Sequence, residues 1–274
     1  MSDLRYIVAD CGGTSTSWAF CYSDGSVVNA DTSSMHPKYL LEWSQDKRDK
    51  VLAQLPEVIS APLFFYSSGC TSGDIAGRVQ EVLVRMGFSE VCVYPDTIGA
   101  CRACCGDSEG SVAILGTGSV LLQYDGAEIT QRTGGWGSLI GDEGSGFHFG
   151  RLLLRAYLQE RVFAGETEMQ RLAALIGTRE QVLSHLAAPK AQQWIAAIGT
   201  KAAALELVEI HRDNIREFIT THVADGRLTN DTLNVVGSYG WFQQRLLGEE
   251  LAKVGLKPGV MIKNPLEKLV IYHA

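Results

Sequence analysis

Residues 110–146 read GSVAILGTGSVLLQYDGAEITQRTGGWGSLIGDEGSG. Ten glycines fall in this stretch, a density that neither a helix nor a strand interior tolerates, so the backbone is shaped for tight turns and for close approach to something. Residues 111–115 (SVAIL) read as a strand, Gly116, Thr117, Gly118 and Ser119 as a turn, 120–124 (VLLQY) as a second strand, and Asp125 with Gly126 as a hairpin connection. The same order stands at the start of the chain. Residues 4–9 (LRYIVA) form an apolar run, DCGGTSTSW at 10–18 is a glycine turn, 17–22 (SWAFCY) alternates like a strand, and Asp24 with Gly25 repeats the Asp-Gly turn. Two such units in one order point to an internal duplication.

With 274 residues, 46% of them hydrophobic, the chain can bury the core of one large domain or two smaller ones. Its net charge of −7 comes without a basic stripe, which argues against nucleic acid and against an anionic membrane and favours a small-molecule partner. The segment MSDLRYIVAD has neither a basic leader nor a long apolar run, and no membrane-length apolar stretch follows, so a cytoplasmic protein is expected. Seven cysteines are an odd number, and Cys21, Cys70 and Cys92 lie inside apolar segments, as buried, reduced thiols do. Cys101, Cys104 and Cys105 would share one helical face. There they could hold a metal or a cluster, but no second Cys/His pair at ligand spacing accompanies them, which favours packing.

Short apolar runs at 63–67 (LFFYS) and 91–94 (VCVY) read as buried strands. Ile75, Ala76, Val79, Val82, Leu83 and Met86 keep the spacing of a one-faced helix that Gly87 stops. Helical composition follows at 151–162 and at 192–224, the latter as two helices or one kinked helix ending before Gly226, and 233–236 (LNVV) and 269–272 (LVIY) are late strand candidates. Strands leading each half, with helices between and after them, predict an α/β protein of two lobes, 1–108 and 109–274.

Glycine turns leave backbone N–H groups uncovered, and Thr14, Ser15 and Thr117 add hydroxyls, so two such turns across a cleft could hold the phosphates of one nucleotide. Neither a G-x-x-x-x-G-K-[ST] loop nor a strand-G-x-G-x-x-G-helix competes with this reading. Asp10 directly precedes the first turn, where a carboxylate can hold a hydrated Mg²⁺ or cap the turn. Asp96, in YPDTIGA, follows a strand and opens a helix. That is an N-cap position, and also the strand end from which a carboxylate can take a proton from a bound hydroxyl. Asp142 and Glu143 lie on a glycine-flanked turn, with Trp136 before them in GGWG; an apolar ring beside acceptor carboxylates suits a sugar, and a packed turn reads the same way.

Together these residues resemble the sugar kinase, heat-shock-protein-70 and actin superfamily, and within it the N-acetylglucosamine kinase branch related to BadF/BadG-type ATPases. DCGGTSTS resembles the first phosphate loop, LGTGS the second, TGGWGSLIGDEGSG the stretch typical of that branch, and VVGSYGWFQQRLL at 235–247 the adenosine motif. The resemblance implies a duplicated, ribonuclease-H-like, two-lobed actin-like ATPase fold with a nucleotide cleft between the lobes, and ATP and Mg²⁺ as cofactors. By position it implies Asp10 near Mg²⁺, Gly12, Gly13, Thr14, Gly116 and Thr117 on phosphates, and Gly237 and Ser238 near the adenosine. Gly118, Ser119, Gly135, Trp136 and Asp142 would line an amino-sugar pocket, and Asp96 would be the catalytic base. The expected reaction is ATP-dependent phosphorylation of an amino sugar such as N-acetylglucosamine, with N-acetylmuramic acid or glucosamine as alternatives, and a homodimer is left open. The other readings are a BadF-type activator of a redox enzyme, with a cluster on the CxxCC cysteines, and a sugar-sensing regulator. Two departures stand out: SSMHPKYL, with Met35 and His36, replaces a sugar-binding Asn, and NPLEKLVIYHA replaces a glycine-rich C-terminal segment.

Overall fold

The computed structural model describes residues 3–56, 61–162, 164–223, 228 and 230–274. By internal contacts the chain divides into two units, Met1–Gly106 with Pro265–Ala274, and Asp107–Asn264.

The first unit is built on strands β1 (Leu4–Cys11), β2 (Ser15–Tyr22), β3 (Val27–Ser33), β4 (Leu63–Ser67) and β5 (Val91–Pro95). They form one sheet in the order β3-β2-β1-β4-β5, with β1, β2 and β3 antiparallel and β4 and β5 parallel to β1. Helices α1 (Pro37–Leu40) and α2 (Gln45–Leu52) follow β3, α3 (Gly73–Arg85) links β4 to β5, and α4 (Asp96–Cys105) leaves β5. The α3 helix is the one its spacing predicts: Ser72 caps it, Val79, Val82 and Leu83 are buried, and Gly87 (φ 103°) ends it. Trp18 anchors the core, stacked on Phe88 at 5.7 Å, with its indole N–H donated to Thr32 Oγ1 at 3.0 Å, so the large ring is buried with no polar atom left over.

The second unit repeats the plan. Strands β6 (Gly110–Leu115), β7 (Ser119–Tyr124) and β8 (Ile129–Gly134) form the meander, and five helices follow. These are α5 (Gly146–Leu158), α6 (Glu166–Ile176), α7 (Arg179–Ala187), α8 (Ala191–Ala202) and α9 (Val208–Phe218), the last running on into a π turn, Ile219–Val223. Then come β9 (Thr232–Val236), α10 (Ser238–Phe242), α11 (Gln244–Lys253) and β10 (Lys257–Ile262), giving a sheet ordered β10-β9-β6-β7-β8. Read from the other edge, this is the order of the first sheet with the same antiparallel and parallel pairs. The duplication therefore extends to all five strands. The crossing of α5 and α8 depends on small residues: a Cβ on Gly199 would overlap the Gly146 carbonyl.

Several expectations are corrected. The apolar run 269–272 is part of a helix, α12 (Leu266–Tyr272), and belongs to the first unit. Four apolar residues cannot separate a strand from a buried helical turn, and here Leu266 and Leu269, three apart, are the buried pair. The helix is tied down where Tyr6 donates its hydroxyl to the Val270 carbonyl at 2.9 Å, Tyr66 meets His273 Nε2 at 2.8 Å and the His273 ring stacks on Phe64 at 3.6 Å. The last strand of the second sheet is β10 instead. Cys92 is exposed rather than buried, because β5 is an edge strand and Cys92 falls on the face opposite Val91. The α5 helix starts at Gly146 rather than 151, since the Ser145 side chain accepts the His148 N–H at 3.1 Å and so fixes the N-terminus earlier. The stretch 192–224 is two helices with a π turn; its expected end at Ala224 and stop at Gly226 lie outside the described residues. Among the described residues no helix is long and apolar enough to cross a membrane.

One core residue makes stability depend on pH. His211, 1% exposed, stacks on Phe149 at 4.1 Å, donates Nε2–H to the Leu205 carbonyl and accepts the Tyr239 hydroxyl at Nδ1. Burial pulls its pKa from 6.5 down to about 4. The folded protein thus holds it neutral while the unfolded chain protonates it, so its contribution is full above pH 6.5 and is lost as pH falls toward 4. Integrated over that window the loss is about 3 kcal/mol. Asp10, pushed up by burial, acts with the opposite sign. The expected result is that His211→Gln, though less stable at pH 7.5, loses less stability than the parent between pH 7 and 4.5 in urea titrations; equal losses would refute it.

Candidate active site

In the first unit the strand register brings the chemical groups to one end of the sheet. Cys11 pairs with Ser67 and Ser67 with Pro95, so Asp10, just inside the end of β1, and Asp96, just past the end of β5, both lie at the carboxyl ends of parallel strands. The cap of α4 is Pro95, held extended at φ −60°, ψ 146°, and Asp96 is the first helical residue rather than the N-cap. There its carboxylate faces the positive end of the helix. Burial first, then the Asp96 charge, pushes the Asp10 carboxyl up to about 7. Both carboxylates are half-buried, and a divalent cation held by Asp10 would relieve the repulsion between them.

The first glycine turn spans the β1–β2 hairpin, where the Gly12 N–H is donated to the Ser15 carbonyl at 3.0 Å and buried Ser34 donates its hydroxyl to the Gly12 carbonyl at 2.6 Å. Gly12, Gly13 and Thr14 are exposed. A Cβ on Gly13 would meet nothing within 4 Å, so packing does not demand glycine there. Met35, one of the two residues that stand where the resemblance implies an Asn, is fully buried in the core. His36 caps α1 by accepting the Lys38 N–H at Nδ1, 3.1 Å away, which leaves Nε2 to carry the proton of the neutral ring. Burial lowers its pKa and the Asp96 charge raises it, which puts the imidazole within electrostatic range of that carboxylate.

In the second unit the turn Gly116–Ser119 is tied to the start of α5. The Gly116 N–H goes to the Gly118 carbonyl at 3.0 Å, while the carbonyls of Gly116 and Thr117 accept the N–H groups of Gly146 at 2.8 Å and Phe147 at 3.1 Å. Those amides would otherwise be orphans of the helix end. As at Gly13, a Cβ on Gly116 would meet nothing within 4 Å. Gly237 lies alongside at the end of β9, with φ 123°, and a Cβ on it would sit 2.6 Å from the Leu115 carbonyl oxygen and 2.9 Å from the Gly116 nitrogen. Only glycine can take that conformation at that distance. Gly116, Thr117, Gly237 and Ser238, which opens α10, are therefore brought together.

The glycine-rich loop after β8 returns to the same turn. Asp142, buried and at φ 68°, accepts the Ser119 N–H at 3.2 Å, and the Ser119 hydroxyl is donated to the Glu143 carbonyl at 2.7 Å. Burial raises the Asp142 pKa; the Ser119 N–H opposes the shift. Trp136 is 60% exposed, as are its neighbours Leu139 at 79% and Ile140 at 74%, and Gly135 (φ 71°) carries the chain into the ring. Residues that no sequence motif marks hold this loop. Asn214 Oδ1 accepts the Gly144 N–H at 3.0 Å, its Nδ2 is donated to the Ser145 carbonyl at 3.0 Å, and His148 Nδ1 meets Oδ1 at 2.7 Å. Phe218 covers Gly144, and His222 Nε2 reaches Glu143 Oε2 at 3.1 Å. The four-residue spacing of 214, 218 and 222 was the available signal.

No family model matches the chain. It is similar to an N-acetyl-D-glucosamine kinase of Dictyostelium discoideum, 29% identical over 134 residues, covering 47% of this chain and 42% of that protein. It is also similar to an N-acetylmuramic acid/N-acetylglucosamine kinase of Clostridium acetobutylicum, 26% identical over 175 residues, covering 60% of this chain and 56% of that protein. The matches thus span about half the length of these curated relatives. A crystal structure of a Porphyromonas gingivalis protein provisionally named N-acetylglucosamine kinase superposes with a TM-score of 0.80 at 27% identity, covering 98% of both chains. The fold is that of the actin-like ATPases.

Proposed function

We propose that this chain is an ATP-dependent kinase of amino sugars, N-acetylglucosamine first among them, in the cytoplasm. The observation that carries the reading is the duplicated sheet with an open glycine turn at the same place in each copy, one of them accompanied by the carboxylates Asp10 and Asp96 and the other by Gly237 and Asp142. In this reading Gly12, Gly13, Thr14, Gly116 and Thr117 bind the nucleotide phosphates. Gly237 and Ser238 support the adenosine. Gly118, Ser119, Gly135, Trp136 and Asp142 hold the sugar, with Asp142 accepting hydroxyl protons as hydrogen bonds and the exposed Trp136 ring covering an apolar face.

Asp96 then accepts the proton of the attacking hydroxyl, which makes that oxygen a better nucleophile at the moment of transfer. The Asp10 carboxylate fits Mg²⁺, which it would hold and which would neutralise phosphate charge when bound. Backbone amides of the two turns fix the phosphates without reorganising, and positioning of this kind supplies most of what phosphoryl transfer needs. The activator reading asks Cys101, Cys104 and Cys105 to ligate as thiolates. Among the described residues no three Cys, His, Asp or Glu side chains are grouped so that they could hold a metal ion, which favours the kinase. The test is ADP release with magnesium ATP over a panel of N-acetylglucosamine, N-acetylmuramic acid, glucosamine, N-acetylmannosamine and glucose. Release that depends on an amino sugar is expected, and release unaffected by every sugar would reject the proposal.

A further inference from the structure

We infer that His222, on the π turn after α9, is a positioning residue for the sugar site, acting through Glu143 on the loop that carries Asp142. The part of this inference that concerns sugar rests on the kinase reading above; the part that concerns the loop does not.

The His222 ring is 1% exposed. Its Nε2–H is donated to Glu143 Oε2 at 3.1 Å, and among the described residues its Nδ1 is buried without a partner. A buried imidazole with one nitrogen unsatisfied costs stability, so the placement is one that folding alone does not favour. Its surroundings explain the placement. The ring lies edge-on to Trp136 at 6.1 Å, packs beside Phe218 at 5.4 Å, and comes so close to Gly134 that a Cβ there would sit 3.0 Å from Cε1. One side chain thus touches the loop where it leaves β8, at its exposed indole and at Glu143. From Glu143 the link is short: its carbonyl accepts the Ser119 hydroxyl, and the adjacent Asp142 carboxylate accepts the Ser119 N–H.

The backbone supports this. Asn214, Phe218 and His222 all face the loop at four-residue intervals, yet in a regular α-helix each four-residue step overshoots a full turn by about 40°. The wider π turn, Ile219–Val223, winds back against that drift and keeps His222 on the line of Asn214. Asn214 holds Gly144 and Ser145 where the loop enters α5; His222 bonds Glu143 beside them, and its ring packs on Gly134 and Trp136 where the loop leaves β8. Asp142, in the left-handed region without being glycine, directly precedes the residues that both of them hold.

The test compares His222→Ala, His222→Gln, Glu143→Ala and Glu143→Gln in the full chain by hydrogen exchange of peptides covering 117–122 and 134–146, and by steady-state kinetics with N-acetylglucosamine and magnesium ATP. In His222→Ala and Glu143→Ala, exchange in both peptides should rise about tenfold and the KM for sugar should rise about tenfold, with the KM for ATP changed less than about twofold. Glu143→Gln, whose amide oxygen still accepts the Nε2–H, and His222→Gln should recover most of both effects. If His222→Ala does not fold, Glu143→Ala, on the more exposed partner, carries the same expectations. Unchanged exchange in the alanine variants overturns the inference, and so does a Glu143→Gln enzyme as impaired as Glu143→Ala, which would make the carboxylate chemical rather than positional. If the parent phosphorylates no amino sugar, the kinase reading falls, and the exchange data alone decide whether His222 holds the loop.

Discussion

Replacing Asp96 by alanine is expected to cut amino-sugar phosphorylation by about 10²–10⁴-fold, the usual contribution of a positioned general base, while nucleotide affinity stays within a few-fold of the parent. The asymmetry follows from where the residue sits. Asp96 is on the first turn of α4, beyond the last strand of its sheet, whereas the glycine turn assigned to phosphate is on the β1–β2 hairpin. Removing the carboxylate leaves that turn and its bond from Ser34 untouched. It also removes the charge that helps hold the Asp10 pKa up. Titration calorimetry with magnesium ATP and a coupled ADP-release assay read the two effects separately. Asp96→Asn should be as inactive as alanine, since the amide keeps the shape and loses the basicity; a variant with more than about a tenth of parental turnover would remove Asp96 from the chemistry.

The second large effect is expected at the glycines. Gly13→Ala and Gly116→Ala should melt within about 2 °C of the parent, because the added Cβ meets nothing within 4 Å and neither backbone has positive φ. Each should nevertheless raise the KM for ATP by about tenfold or more, with Gly13→Val and Gly116→Val approaching about 10²-fold, because a phosphate must come to the space the side chain takes. Gly237→Ala is the contrast. At φ 123° and 2.6 Å from the Leu115 carbonyl its Cβ strains the fold itself, so melting should drop along with nucleotide binding. Unaltered ATP kinetics in both Gly13→Val and Gly116→Val would detach these turns from the phosphates.

The duplicated hairpins were legible because glycine density, apolar alternation and the Asp-Gly connections all act within about ten residues, the range over which turn chemistry dictates conformation. The α3 helix was legible for the same reason, with Ser72 and Gly87 marking its ends. The edge strands β3 and β8 were not. β3 is largely exposed and β8 is exposed along half of its length, so neither shows an apolar pattern, and both are strands because their neighbours offer a free row of hydrogen bonds. The run LVIY misled because burial against β1 and β2, far away in sequence, decides that it is helical. At the site, the residues named from motifs are those on turns. Asn214, Phe218 and His222 escaped notice because helix α9 reads as an ordinary amphipathic segment until its polar residues are seen to have partners about 70 residues earlier in the chain.

The π turn also sets a length constraint on the gene product. Taking one amino acid out of Ile219–Val223 would let the segment relax into uniform α winding and swing the side chains after the deletion within it by about 100°. His222 would then leave Glu143 for another azimuth, with composition almost unchanged. Reading frames that vary in length at this point should therefore vary in sugar affinity even where every motif residue is retained.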